Sequence, residues 1–469
     1  MRALASFNQL VALARFGARL SHRSERKNTM CCSVEFEDED RDLSAIRAKG
    51  EVLLPLRILA APSQPDIARI RADFPVLGQR INDKPIVYFD NACMSLRPKA
   101  VIEALSTYYT DYSGCHGRVD HSFGTATTKA FKNARASVQA FIGARNPSEI
   151  LFMRNTTEAI NVVANVLRLQ PGDAVLCSDL EHNSNLLPWL ALRDRSGVEH
   201  RVFATNADTS FEMAAFRARL DRKVKLVSVL YSSNLSGVTF PLGDIVREAH
   251  SVGAKVLVDG AQGMLSGDMD VRDLDIDFLA FSGHKILGPT GTGVLYGKEE
   301  LLADLPCFLY GGETVTDTTY DGYTLGRAPD RFEAGLQDYA GAIGLGAAVE
   351  YIGGIGKRAI RKQVTKLNTM ASEELAKTKG ITVIGPTDAA KRGGVLNFRV
   401  DGMDSGDVAY LLNKSANLMV RSGKHCVHSW YNARGVPSSV RASFSFYNTP
   451  EEVDFFVWTL RDILRFYAN

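Results

Sequence analysis

Two runs of this sequence could carry amine chemistry. Val256-Leu257-Val258-Asp259 and Phe278-Leu279-Ala280-Phe281-Ser282-Gly283-His284-Lys285 each read as an apolar strand that ends abruptly in polar side chains. A lysine buried at such a strand end has its ammonium form disfavoured by desolvation, which frees the neutral amine for Schiff-base chemistry. An aspartate on a neighbouring strand can pair with a protonated pyridine nitrogen and make that ring an electron sink. Singly, Asp259 reads as a helix cap and Lys285 as a surface residue. Together, with Ser-Gly-His-Lys, they point to pyridoxal 5'-phosphate held on Lys285.

Other segments supply what such a site needs. Arg154-Asn155-Thr156-Thr157-Glu158-Ala159 follows a strand and opens a helix, where free backbone N–H groups and the helix dipole favour an anion; an ordinary N-cap is the alternative. Glu181-His182-Asn183-Ser184-Asn185 and Ser233-Asn234-Leu235-Ser236-Gly237 also follow strands, and His182 and Asn234 taken alone would be structural. Gly353-Gly354-Ile355-Gly356-Lys357 fails the Walker spacing, has no Ser or Thr after the lysine, and reads as a helix interruption.

Cys426 ends the run Arg421-Ser422-Gly423-Lys424-His425-Cys426. A thiolate is a competent nucleophile, and Lys424 and His425 beside it favour ionisation. Burial as a small core residue is the alternative; a metal cluster with His425 and His428 is a third, disfavoured because adjacent residues of an extended strand point to opposite faces. Arg441 alternates with apolar residues in Val440-Arg441-Ala442-Ser443-Phe444. Its planar fork suits a carboxylate, and a buried ion pair would place it equally well.

These residues need a scaffold, and its periodicity is legible. Apolar runs at Ile150 to Met153, Ala174 to Cys177, Val224 to Leu230, Lys255 to Val258 and Phe278 to Phe281 alternate with amphipathic helical segments. That pattern predicts an α/β fold with a large, mostly parallel sheet covered on both faces. Ser178, Asn234, Asp259 and Ser282 then fall at strand carboxyl ends, where open α/β sheets bind ligands. A long helical stretch to Thr378, strands at Gly394 to Val400 and Ser439 to Phe446, and a closing helix predict a smaller α+β domain. The expected division is an N-terminal extension over 1–62, a cofactor domain over 63–335 and a small domain over 336–469.

Composition excludes several classes. With 55 basic and 53 acidic side chains intermixed, net charge +2, no field large enough for nucleic acid arises. The seven cysteines, at 31, 32, 93, 115, 177, 307 and 426, form no CxxC pair, which indicates a reducing compartment. No apolar run reaches the roughly 18–20 residues of a membrane span, so a cytoplasmic protein is expected. The first 24 residues hold Arg2, Arg15, Arg19 and Arg23 and no acid, like an organelle transit peptide; Met30 is an equally good start.

From about Asp66 onward the sequence resembles the class V aminotransferase-like, fold type I pyridoxal-phosphate enzymes, and within them the SufS-like cysteine desulfurases and selenocysteine lyases. The resemblance implies that Lys285 carries the cofactor, that Ser282, His284, Thr156 and Thr157 bind its phosphate, and that Asp259 pairs with the ring nitrogen. It further implies Gln262 on the phenolic oxygen, His182 stacked on the ring, and Asn234 near the ring oxygen or the substrate. Arg441 and Arg421 fall to the substrate carboxylate, and Cys426 to persulfide formation. Thr324, just before Arg327-Ala328-Pro329-Asp330-Arg331-Phe332-Glu333, is implied to reach the phosphate of a neighbouring subunit, which makes a homodimer the expected state.

The resemblance thus implies conversion of L-cysteine or L-selenocysteine to L-alanine, with the sulfur passed to an acceptor protein. Other class V activities stay open: an aminotransferase, an isopenicillin-N-epimerase-like or a kynureninase-like enzyme. A scaffold without catalysis that binds a sulfur carrier is a third hypothesis. Lys424 stands where the pattern has a second histidine, and Cys93-Met94 where better-known members have small residues. Cys115 lies near the segment from Arg118 to His121.

Overall fold

The computed structural model describes residues 66–117 and 120–467. The expected extension over 1–62 and Arg118 lie outside the described residues. Seven strands form the main sheet: β1 (Ile150–Met153), β2 (Ala174–Ser178), β3 (Glu199–Phe203), β4 (Val224–Leu230), β5 (Lys255–Asp259), β6 (Phe278–Ser282) and β7 (Gly293–Gly297). Their order is β1-β7-β6-β5-β4-β2-β3. β7 runs antiparallel to both neighbours and the other pairings are parallel. The central strands are apolar throughout because both faces are covered: Val227, Val229, Val256 and Val258 belong to one buried cluster, Leu226 and Leu257 to another.

Since β1 and β6 both oppose β7, the carboxyl ends of β1, β6, β5, β4 and β2 share one edge. That edge is where the chemistry-bearing segments emerge. A side chain at Gly293, the first residue of β7, would put its Cβ 2.7 Å from the Cα of Asn155. Glycine there lets the start of the next helix lie against the sheet.

Helices α1 (Lys99–Asp111), α2 (Ser122–Ile142) and α3 (Thr156–Val166) precede or cover this sheet. α4 (Tyr339–Ile355) packs on α1 and α2 through small residues; a Cβ at Gly346 would lie 2.8 Å from the Cα of Ala134. The expected interruption is real: α4 ends, Gly356 has φ 90, and α5 (Lys357–Ala376) begins. α6 (Pro450–Tyr467) closes the described chain.

A hairpin of β8 (Val315–Thr318) and β9 (Tyr323–Leu325) projects between the two halves of the sequence. The second sheet is antiparallel, with order β10-β11-β13-β12 from β10 (Ile381–Ile384), β11 (Val395–Val400), β12 (Arg421–Gly423) and β13 (Ser439–Ser443). The strand expected to reach Phe446 ends at Ser443, where Phe444 instead donates its amide to Gly394. Leu396, Phe398 and Val440 pack with Phe456 and Leu460 of α6, and Val87 and Phe89 join that core from the N-terminal segment. No helix of the described residues is long and apolar enough to cross a membrane.

One buried ion pair fixes β1. Arg135 donates to both oxygens of Glu333, at 2.7 and 2.8 Å, and to Ile150 O, while Glu333 also accepts the Phe152 amide at 2.6 Å. Phe131 and Phe152 flank the guanidinium. Removing one partner leaves a buried charge uncompensated, which costs about 3–5 kcal/mol. Glu333→Ala is therefore expected to lower unfolding stability by about that amount, read as the shift in denaturant midpoint against the parent.

Candidate active site

Lys285 and Asp259 line one chamber at the sheet edge, together with His182, Asn234, Ala261 and Gln262. Asp259 is the last residue of β5, and its Oδ1 accepts the Ala261 amide at 2.8 Å. Burial pushes its carboxyl up, and the nearby Lys285 ammonium works the other way. Lys285 sits on the turn after β6; burial lowers its pKa, partly offset by Asp259. Desolvation thus acts on both groups toward their neutral forms, as expected of an amine that must act as nucleophile or base.

The phosphate-type pole forms around β6 and α3. Asn155 caps α3 through Oδ1, which accepts the Glu158 amide. Ser282 Oγ accepts the Thr156 amide at 2.9 Å and lies 2.7 Å from Thr156 Oγ1. Thr157 follows in the same first turn, exposed and bonded to Ser184 Oγ at 2.8 Å. His284 is half-buried, and desolvation, Lys285 and Arg97 hold its pKa down at about 4. These hydroxyls and the helix N-terminus make a donor set suited to an anion.

His182 is held down to about 3, first by burial and then by Lys285, Arg441 and His428; its Nδ1 accepts the Ser184 amide. It is therefore a neutral ring. Asn234 Nδ2 donates to His425 O at 2.6 Å, and Arg441 Nη1 donates to Asn234 O at 2.9 Å. Gln262 Nε2 donates to Ala92 O at 2.6 Å. A second cavity of about 460 Å³ shares Lys285, Ala261, Gln262 and Ser232 with the chamber and extends to Arg361 and Lys391. Its size lies within the roughly 300–1,000 Å³ of small-molecule sites.

Arg441 is 2% exposed, its Nη2 lies 3.6 Å from Asp90 Oδ1, and its Nε has no hydrogen-bond partner. Arg421 grips the same aspartate, Nε to Oδ1 at 3.0 Å and Nη2 to Oδ2 at 2.7 Å. Asp90 was not singled out from sequence. It stands three residues before Cys93, but no local signal announces a partner 331 residues away. Buried Glu181 was missed as well: it accepts from Ser178, Asn185 and the Leu230 amide, and burial raises it to about 8.

The cysteine loop corrects two expectations. His425 and Cys426 do not continue a strand; both have left-handed backbone, φ 48 and 58, costly for non-glycine residues. The Asn183 amide bonds Cys426 O at 2.8 Å and helps pin this turn. Nor does a cationic histidine assist the thiol. Burial, Arg441 and Arg421 hold His425 down to about 3, and Lys424 Nζ is turned to Asn432 Oδ1 at 2.6 Å. Cys426 itself is exposed, against the core-residue alternative. Thr324 lies on β9, exposed, and is not among the residues lining its own chain's chamber.

The buried titratable groups give opposed pH effects. The neutral His182, His284 and His425 bind fewer protons folded than unfolded between about 3–4 and 6.5, so their contribution to stability is present above 6.5 and lost as pH falls. Glu181 binds more protons folded than unfolded between 4.5 and about 8, so its contribution is lost as pH rises through that window. Glu181→Gln is expected to reduce the decline on the alkaline side, leaving the part that Asp259, also raised by burial, contributes, and to leave the acid limb, measured by denaturant unfolding across pH.

Comparisons with known proteins agree with this layout. The model of the family Aminotransferase class-V matches residues 87–456. A cysteine desulfurase of Dickeya dadantii is 40% identical over 404 residues, covering 85% of this chain and 97% of that protein. Among solved structures, the cysteine desulfurase CsdA from Escherichia coli superposes with a TM-score of 0.79 at 35% identity, covering 86% of this chain and 99% of that one. The cysteine desulfurase from Thermococcus onnurineus gives 0.81 at 35% identity, covering 87% and 99%.

Proposed function

The chain belongs to the class V aminotransferase family, and from that premise we propose that it is a cysteine desulfurase, releasing L-alanine and keeping the sulfur as a persulfide on Cys426. One observation carries this reading: a single chamber is lined by Lys285 and Asp259, and the strained turn that exposes Cys426 is bonded to the same chamber, through Asn234 Nδ2 to His425 O at 2.6 Å.

The donor set fits pyridoxal phosphate. Thr156, Thr157, Ser282 and His284 would hold the phosphate, Asp259 the ring nitrogen, and His182 a ring face, with Gln262 and Asn234 on the phenolic side. The cofactor, when bound to Lys285, supplies an electron sink for a carbanion at the substrate Cα. Lys285, whose ammonium is disfavoured by burial, then carries the Cα proton. Arg441, with Nε unpaired, holds the substrate carboxylate; Arg421, engaged by Asp90 through Nε and Nη2, supports it from the side. Cys426 attacks the substrate sulfur: an S–S bond forms, the Cβ–S bond breaks, and the carbon takes up a proton to become alanine.

Asp259→Asn keeps the shape of the group but not its charge, so the ring nitrogen loses the partner that keeps it protonated. Turnover is expected to fall on the order of 100-fold with cofactor retained, checked by steady-state rate and bound-cofactor absorbance on one sample. The exposed hairpin that carries Thr324 is read as reaching the second subunit of a homodimer. An acceptor protein would draw sulfur from Cys426, in the cytoplasm, or in an organelle if residues 1–62 are a transit peptide. The reading is tested by incubating purified protein with L-cysteine. Alanine and sulfane sulfur are the expected products; a keto acid with no alanine would make the enzyme an aminotransferase instead.

A further inference from the structure

We propose that Asp90 sets the substrate charge that this site accepts: by engaging one of two paired arginines, it restricts binding to amino acids whose only carboxylate is the one on Cα. The proposal deepens the desulfurase reading and rests on it in one respect, the seating of that carboxylate on Arg441.

Strand register brings the two arginines together. Arg421 on β12 stands directly opposite Arg441 on β13, and such cross-strand partners share one face of the sheet with their Cβ atoms about 4.5–5.5 Å apart. Like charges so placed repel each other. A third segment supplies the counter-charge. Asp90 bridges to Ser443 at the end of β13, where Phe89 O accepts the Ser443 amide at 2.7 Å and Ser443 Oγ accepts the Ala92 amide at 2.9 Å. Backbone bonds on both sides of Asp90 therefore fix its carboxylate against the arginine pair.

Asp90 does not serve the two arginines equally. Arg421 donates Nε at 3.0 and 3.1 Å and Nη2 at 2.7 Å, so one whole edge of its guanidinium is taken. Arg441 keeps only an ion pair at 3.6 Å through Nη2, while its Nη1 donates at 2.9 Å to the carbonyl of Asn234, a residue of the chamber wall. Burial disfavours the Arg441 charge, and Asp90 is the foremost neighbour supporting it. Among the described residues no other carboxylate pairs with either arginine.

Charge then selects the ligand. Two guanidinium groups and one carboxylate leave a single positive charge in excess, which one substrate carboxylate cancels. A second carboxylate on the substrate side chain would face Asp90 with no further cation to balance it, because the Arg421 edge is occupied. Juxtaposed like charges are an effective means of rejecting a ligand.

The test titrates the holoenzyme with L-alanine, L-asparagine and L-aspartate, reading the absorbance of the bound cofactor, with unfolding midpoints as a check on the fold. L-Asparagine and L-aspartate have the same shape and differ in charge. Wild-type protein should bind L-asparagine on the order of 10-fold more tightly than L-aspartate. Asp90→Asn should erase or reverse that difference, and Asp90→Glu, which keeps the charge, should retain it. A merely structural role would weaken all three amino acids together and leave their ratios unchanged. Equal affinity for the two in the wild type, rejection of both alike, or an unchanged ratio in Asp90→Asn would overturn the proposal, the first two without any variant having to fold. Arg441→Lys should weaken L-alanine; if it does not, the carboxylate sits elsewhere and the proposal falls. Wild-type protein that shows the expected ratios but makes no alanine from L-cysteine would overturn the desulfurase reading and leave the role of Asp90 standing.

Discussion

Cys426→Ala should bind pyridoxal phosphate normally, shift its absorbance on addition of L-cysteine, and yet release alanine roughly 100-fold more slowly or worse. On the proposed reading, binding the amino acid and moving its Cα proton fall to Lys285, Asp259 and the buried Arg441, none of which the substitution alters. Removing sulfur requires a second nucleophile, and the proposed one is Cys426, an exposed thiol on a left-handed turn. The turn is also tied by its backbone, through Asn183 N to Cys426 O and Asn234 Nδ2 to His425 O. Losing the thiol should therefore not displace the loop. Spectral titration and an alanine assay on one preparation separate the two stages. A variant as fast as the parent would remove Cys426 from the chemistry.

Lys285→Ala should be more damaging still. On the proposed reading Lys285 bonds the cofactor, and it is the one lysine among the residues lining the chamber, the amine that would carry a proton to and from Cα. Turnover is expected to fall on the order of 10,000-fold, and the visible absorbance of lysine-bound cofactor should disappear. Borohydride reduction of the wild type, followed by peptide mapping, should mark Lys285. Stability is expected to hold or rise, because an amine whose ammonium is disfavoured by desolvation adds nothing to the fold.

Much of this architecture was legible because burial imposes a simple pattern. β4 was read with its observed bounds, Val224–Leu230, since a strand covered on both faces must be apolar along its length. The break before α5 was legible because glycines cluster there, and Gly356 does take φ 90. Lys285, Asp259 and Ser282 were legible for the converse reason: polar residues ending apolar strands must face a ligand edge. The same logic fails at long range. Asp90 and Arg421 meet across two elements that sequence keeps far apart, and only the folded chain shows that the aspartate organises both arginines. Ionisation escaped as well. His425 looked like a cation beside the thiol, but the fold buries it against two arginines and makes it neutral. The backbone of His425 and Cys426 was invisible for a related reason, since nothing in Gly-Lys-His-Cys requires positive φ.

The central claim is that amine chemistry at Lys285 and thiol chemistry at Cys426 act in sequence on one molecule of L-cysteine. The most direct measurement mixes wild-type holoenzyme with less than one equivalent of L-cysteine and quenches at intervals. Alanine and total protein-bound persulfide are counted in the same samples. The two should rise together, one for one, with the earliest persulfide on the Cys426 peptide. Alanine that accumulates while Cys426 stays an unmodified thiol at every time would contradict the account.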